Sequence, residues 1–306
     1  MITLNKNILP DFLIVGAQKS ATTTLYKILN SHNDIYMPDI KEVNFFAYNK
    51  DDIELNEYKK YDFGSHFKII TNLEEYYSLF ANANSSQIIG ESSVNYLFRY
   101  KQTIKKIKEI YKNDYKKVKI IISLRNPIDR AFSSWVMNVR DNRDNRTFEN
   151  AISFDNEKKS FNSLDIFKYL EYGLYYYAVK EYLDTFDRVY ILLYDNLIDD
   201  FNEEIKKIFK FLSIKVPSKS VDNKNYNVSG IPKIKIIHEF AKRDLIIKKI
   251  IKYFLSDNLI NSIRNIINKN YVKPRINQKT RNILTDYYND DLKRLNKIIN
   301  VENWIK

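Results

Sequence analysis

Asp11-Phe-Leu-Ile-Val-Gly16-Ala-Gln-Lys19-Ser20-Ala-Thr22-Thr23-Thr24-Leu25 is the stretch on which the reading of this chain turns. Phe12 to Val15 form an apolar, partly β-branched run of the kind a buried parallel strand needs. Leu25, Ile28 and Leu29 then return at helical spacing within Thr22 to Asn30. Gly16 marks the end of the strand. A strand that turns sharply into a helix gathers unpaired backbone N–H groups and the positive end of a helix dipole at one place, which suits a phosphate or sulfate group. Lys19 adds a full positive charge, and Ser20, Thr22, Thr23 and Thr24 add hydroxyl donors. The simpler alternative is a hydroxyl-rich N-terminal helix cap.

The spacing narrows the chemistry. In the Walker A loop, G-x-x-x-x-G-K-[ST], the lysine follows the second glycine. Counted from Gly16, this chain has Ala21 at the second glycine and Thr22 at the lysine, and its lysine has moved forward to Lys19. That displacement argues against an ordinary ATPase or kinase. The run Lys19-Ser20-Ala21-Thr22-Thr23-Thr24-Leu25 resembles instead the 5′-phosphosulfate loop, K-[SAC]-G-T-T-x-L, of sulfotransferases that use 3′-phosphoadenosine 5′-phosphosulfate (PAPS). The resemblance implies that Gln18, Lys19, Ser20, Ala21, Thr22, Thr23 and Thr24 bind the nucleotide. Ala21 departs from the family's glycine and is accommodated there if it keeps a negative φ.

Further along, Lys117 to Leu124 is the most apolar strand, and it runs into Arg125-Asn-Pro127-Ile-Asp129-Arg-Ala-Phe-Ser133. Pro127 suits the first position of a helix, which places Arg125 at the C-terminal end of the strand, where ligands bind in open parallel sheets. Arginine grips phosphate through two parallel hydrogen bonds, and Ser133, about two turns along the helix, adds a donor. The segment resembles the family's 3′-phosphate motif R-N-P-x-D-R-A-x-S. Arg125 and Ser133 are then the holders of the phosphate that distinguishes PAPS from ATP, with Arg275 of Lys273-Pro-Arg275 as a further contact.

Between these motifs, Lys41-Glu42-Val-Asn-Phe-Phe46 resembles the K-E-P-x-F-F segment of the glycan-directed sulfotransferases. That resemblance implies Glu42 as the general base and Lys41 as a neighbour of the transferring group or acceptor. An exposed Lys-Glu pair ahead of an aromatic core patch is the alternative. Gln87-Ile-Ile-Gly90-Glu91-Ser92-Ser93-Val94-Asn-Tyr96 resembles the G-E-K-[ST]-P-x-Y segment, whose residues after the strand line the acceptor cleft and support the base; the resemblance implies acceptor contacts at Glu91 and Ser93, although Glu91 reads equally as a buried carboxylate. Tyr175, in the tyrosine-rich Tyr172 to Tyr177, is a nucleotide or acceptor contact in the same frame and a core residue outside it.

Length and composition are consistent with this reading. The 306 residues can bury a sizeable core. There is no cysteine, so neither disulfides nor thiolate metal sites exist, and the three histidines are scattered. No apolar run is long enough to cross a bilayer and no signal-peptide pattern opens the chain, so a soluble, cytoplasmic protein is expected. Lys and Arg number 50 against 38 Asp and Glu, a net charge of +12. That balance favours anionic partners, or reflects a general bias toward lysine, since the basic residues are spread along the chain. No DNA- or RNA-binding motif is evident and nucleic acid is not expected as a partner.

The expected architecture is one α/β domain over 1–306. It has a P-loop-like three-layer fold with a mainly parallel central sheet flanked by helices, a nucleotide-binding core over about 9–215, and a helical part, 216–306, closing over the site. Basic amphipathic helices over Ile234 to Phe254 and Leu259 to Ile267 could touch an acidic glycan, a membrane surface or solvent. The expected activity is transfer of the sulfuryl group from PAPS to a hydroxyl of a carbohydrate acceptor, with 3′-phosphoadenosine 5′-phosphate (PAP) as product and no metal called for. A P-loop kinase, a basic polyanion-binding protein and a sulfotransferase fold that binds PAPS without catalysis stand as the alternatives. The acceptor and the oligomeric state are not fixed by the sequence.

Overall fold

In the computed structural model, residues 8–52, 58, 61, 69–153, 164–217, 230–232, 271–272 and 274–305 are described. Five strands, β1 (Phe12–Gly16), β2 (Ile35–Tyr36), β3 (Ile88–Ser92), β4 (Lys119–Leu124) and β5 (Val189–Leu193), form one sheet in the order β2-β3-β1-β4-β5. Every pairing is parallel. Strand β1 therefore lies at the centre, and whatever follows it emerges at the middle of the sheet's C-terminal edge.

Alternation along the strands divides the core in two. Phe12 and Ile14 of β1, Ile121 of β4 and Leu192 of β5 face the helices α1 (Thr22–Asn30) and α9 (Phe201–Leu212). Leu13, Val15, Ile120, Ile122 and Leu124 face the other way. There they pack with α4 (Tyr100–Tyr111), α5 (Pro127–Arg140), α7 (Tyr176–Thr185) and α10 (Gln278–Leu295). The shorter helices are α2 (Leu73–Ser78), α3 (Asn95–Phe98), α6 (Phe148–Ala151) and α8 (Tyr194–Asp199). Both faces of the sheet are covered, so its strands read as continuous apolar runs, and the expected layered α/β architecture is present.

Two glycines hold this arrangement. Gly16, at φ +145°, ends β1 where an added Cβ would meet Leu97 Cβ at 2.8 Å. Gly90 lies opposite Phe12 in the register of β1 and β3, and a Cβ there would meet the Phe12 ring at 2.1–2.6 Å. Helix α5 starts as the sequence predicts: Pro127 is its first residue, and the Asn126 side chain caps it by accepting from Ile128 N at 3.0 Å.

Helix α10 lies across the ends of α5 and α7. Asp291 accepts from the Tyr175 and Tyr176 amides at 2.8 and 3.2 Å, and Arg281 pairs with Asp129 at 2.6 Å. A two-stranded antiparallel pair, β6 (Ile231–Pro232) and β7 (Tyr271–Val272), lies with β6 against α5. The helices expected over 234–254 and 259–267, and most of the loop expected over 225–232, lie outside the described residues.

Candidate active site

The turn after β1 is built to leave donors unused. Ala17 N donates to Ser123 O at 2.6 Å and the Ser123 hydroxyl donates to Ser20 O, which ties the loop to the end of β4. Ser20 N closes on Ala17 O at 3.3 Å. The amides of Gln18, Lys19, Ala21, Thr22, Thr23 and Thr24 have no hydrogen-bond partner among the described residues. Lys19 and Ala21 both take positive φ, 68° and 64°, the alternation that turns successive amides into an anion-binding nest.

Ala21 therefore departs from the expectation of a negative φ: it adopts the left-handed conformation that glycine takes without penalty. It is also the N-cap of α1 and offers no side-chain cap, so the hydroxyls around it do not serve as one. The Ser20 hydroxyl is buried and unpartnered. Orphaned amides, an orphaned hydroxyl and a helix N-terminus fit a 5′-phosphate or sulfate.

Two cations stand at this turn. Lys19 Nζ lies 3.7 Å from Met137 Sδ of α5. Arg125, at the end of β4, donates to Lys19 O at 3.4 Å and stacks its guanidinium 4.7 Å from the Tyr194 ring centroid. Neither forms an ion pair among the described residues. Burial of the Lys19 ammonium, with Arg140 and Arg125 near, pushes its pKa down from 10.5 to about 8. Two cations with no carboxylate in ion-pair contact among the described residues suit an anionic ligand.

Beside the loop is a cavity of about 240 Å³. Gln18 enters it from the loop, Lys41 and Glu42 from the segment before Phe45, and Met137, Asp141 and Arg143 from the end of α5. Lys41 Nζ pairs with Glu42 Oε1 at 2.6 Å. Glu42 is thus brought to one cavity with Gln18, whose side chain accepts from the buried Ser134 hydroxyl at 2.6 Å. Ser134, one residue beyond the motif serine, escaped the sequence reading. Ser133 itself is half-buried on α5.

Four expected contacts lie outside this cavity's lining. Glu91 and Ser93 are fully buried, at 1% and 0% exposure, and bond to each other at 2.6 Å rather than lining the cavity. Strand β3 and the residue after it carry them beneath the Glu42 segment, with both side chains buried. Tyr175 is also buried; its hydroxyl donates to Arg125 O at 3.0 Å, so it supports the arginine from behind. Arg275 is exposed on the segment leading to α10. Asp141 and Arg143, which no motif singles out, pair with each other at 2.5 Å on the cavity wall.

Residues 9–229 match the profile described as the Sulfotransferase domain. The chain belongs to the sulfotransferase family. A solved sulfotransferase from Alicyclobacillus acidocaldarius superposes with a TM-score of 0.70 at 26% identity, covering 97% of this chain and 99% of that one. The membrane-associated sulfotransferase kil1 of Dictyostelium discoideum is 28% identical over 133 residues, 43% of this chain. The chain matches only 24% of that protein's length. Family membership sets the kinase reading aside. Among the described residues, no helix is long and apolar enough to cross a membrane.

Proposed function

We propose that this sulfotransferase transfers the sulfuryl group of PAPS to a hydroxyl of a carbohydrate acceptor, with Glu42 as the general base. The observation that carries the reading is the juxtaposition of a phosphate loop whose two cations lack carboxylates with a cavity that holds the Lys41–Glu42 pair. The carbohydrate class rests on the likeness of Lys41 to Phe46 to the glycan-directed segment.

PAPS supplies the sulfuryl group: the acceptor O–S bond forms as the S–O bond to the 5′-phosphate breaks, and PAP leaves. The loop amides and Lys19 hold the 5′-phosphate, and Lys19 balances the charge that grows on the departing oxygen. Arg125 and Ser133 hold the 3′-phosphate. Lys41 occupies Glu42 Oε1, which leaves Oε2 to take the proton of the acceptor hydroxyl. Gln18, fixed by Ser134, presents its amide to the same cavity.

The test is turnover of radiolabelled PAPS against a panel of sugars. Glu42→Gln should lower kcat by a factor on the order of 100 to 10,000, with PAP affinity unchanged. A Glu42→Gln variant that keeps wild-type turnover would remove Glu42 as the base.

A further inference from the structure

Glu42 sits on an unusual piece of backbone. It and Asn44 both take positive φ, 62° and 53°, with Val43 between them. Neither is glycine, so the surroundings must enforce this turn. The enforcement is visible as hydrogen bonds to β3 and the residues that follow it. Glu42 N donates to Ser92 O at 3.0 Å, Asn44 N donates to Ser93 Oγ at 3.0 Å, and Asn44 Nδ2 returns to Glu42 O at 2.7 Å.

The Ser93 hydroxyl cannot accept from Asn44 and stay fixed unless its own proton has a destination. That destination is Glu91 Oε1, 2.6 Å away and fully buried. A carboxylate is a costly group to bury in a core. No ion pair is formed by Glu91 among the described residues, so its retention is not explained by charge pairing.

We infer that Glu91 is a positioning residue for Glu42: through Ser93 and Asn44 it fixes the left-handed turn that delivers the Lys41–Glu42 pair into the cavity. The inference rests on the reading of Glu42 as the base. It gives the support expected from the Gly90-Glu91-Ser92-Ser93 segment a buried route, from Glu91 through Ser93 and Asn44, in place of acceptor contact.

The surroundings of Glu91 supply an independent signature. From α2, α3 and α4 the titratable groups facing it are the phenols Tyr76, Tyr96 and Tyr111, all pushed up by burial and therefore neutral. From the cavity side they are Lys41 and Glu42. Burial raises the Glu91 carboxyl from 4.5 to about 7; Ser93, Tyr96 and Lys41 pull it down and Glu42 pushes it up. The titration of Glu91 therefore reports how near Lys41 and Glu42 lie to it.

The experiment combines amide hydrogen exchange with carboxyl-carbon NMR titration on the full chain, with the Glu91 signal assigned by Glu91→Gln. In Ser93→Ala the Asn44 amide should exchange about tenfold faster or more, while PAP affinity by calorimetry stays at the wild-type value. In Glu42→Gln the Glu91 midpoint should move down from about 7, and in Lys41→Met it should move up. If Ser93→Ala fails to fold, Glu91→Leu carries the test: without the acceptor for the Ser93 hydroxyl it should speed Asn44 exchange and lower kcat at unchanged PAP affinity, and Glu91→Gln, which keeps an acceptor oxygen, should restore both. An Asn44 amide that exchanges as in wild type in Ser93→Ala, or a Glu91→Leu variant that keeps the wild-type kcat, overturns the inference. A loosened turn together with full turnover by Glu42→Gln upholds the brace and removes Glu42 as the base. An unloosened turn with an inactive Glu42→Gln removes the brace and keeps the base.

Discussion

Replacing Ala21 by glycine should stabilise the protein and leave its nucleotide site intact. Ala21 is held at φ 64°, ψ 12°. An L-residue in that region is disfavoured by roughly 1–2 kcal/mol because Cβ crowds the following carbonyl. Glycine removes the crowding but brings more freedom to the unfolded chain, which takes back roughly 0.4–1 kcal/mol. The difference is a gain of about 0.5–1 kcal/mol, or roughly 1–3 °C in Tm for a chain of this size. Because the backbone conformation is the one already present, Lys19 and the unpaired amides keep their places, and PAP affinity should stay within about threefold of wild type. Ala21→Val is the counter-test, since a β-branched residue at positive φ is strained further, and it should lower both Tm and PAP affinity. Thermal unfolding with and without PAP measures both quantities. A glycine variant less stable than wild type, or a valine variant as stable as wild type, would refute a left-handed Ala21.

Two other outcomes follow from burial. Lys19 has a folded pKa of about 8 against an ordinary 10.5, so between these values the unfolded chain binds more protons and the ligand-free protein gains stability as pH rises. A bound phosphate draws the proton back onto Lys19, so PAP affinity should fall as pH passes about 8, and calorimetry showing a flat affinity through that window would refute it. Gly90→Ala drives a Cβ into the buried Phe12 ring and should destabilise by about 2 kcal/mol or more in denaturant unfolding, with an unchanged midpoint counting against the close approach.

What was legible in the sequence was local. The apolar run into Gly16, the helix restarting at Thr22 and the Asn126-Pro127 helix start are set by neighbours in the chain, and each appears where the periodicity puts it. The family motifs then ordered Lys19, Glu42 and Arg125 along the chain, and the fold brings Glu42 to a cavity lined by Gln18, the neighbour of Lys19, and Arg125 to the Lys19 carbonyl. The sign of φ at Ala21 was not legible, because alanine carries no preference for the left-handed region and only the tie between β1 and β4 imposes it.

The contact between Asn44 and Ser93 was not legible, since the two lie 49 residues apart. Asp141 and Arg143 belong to a charged loop, Asp141 to Arg146, that carries no motif. They line the cavity because α5 ends there, and Asn138 holds Arg143 Nε at 3.0 Å. Ser134 had a local signal that went unused: it is the serine that turns toward the loop from the motif helix, where Ser133 stays half-buried.

The most direct test of the central claim is calorimetric titration of the full chain with PAP and with ATP, repeated in Arg125→Ala. The account predicts that PAP binds more tightly than ATP, and that Arg125→Ala weakens PAP far more than ATP, since only PAP carries the 3′-phosphate assigned to Arg125. Equal weakening of both nucleotides, or a wild-type preference for ATP, would contradict it.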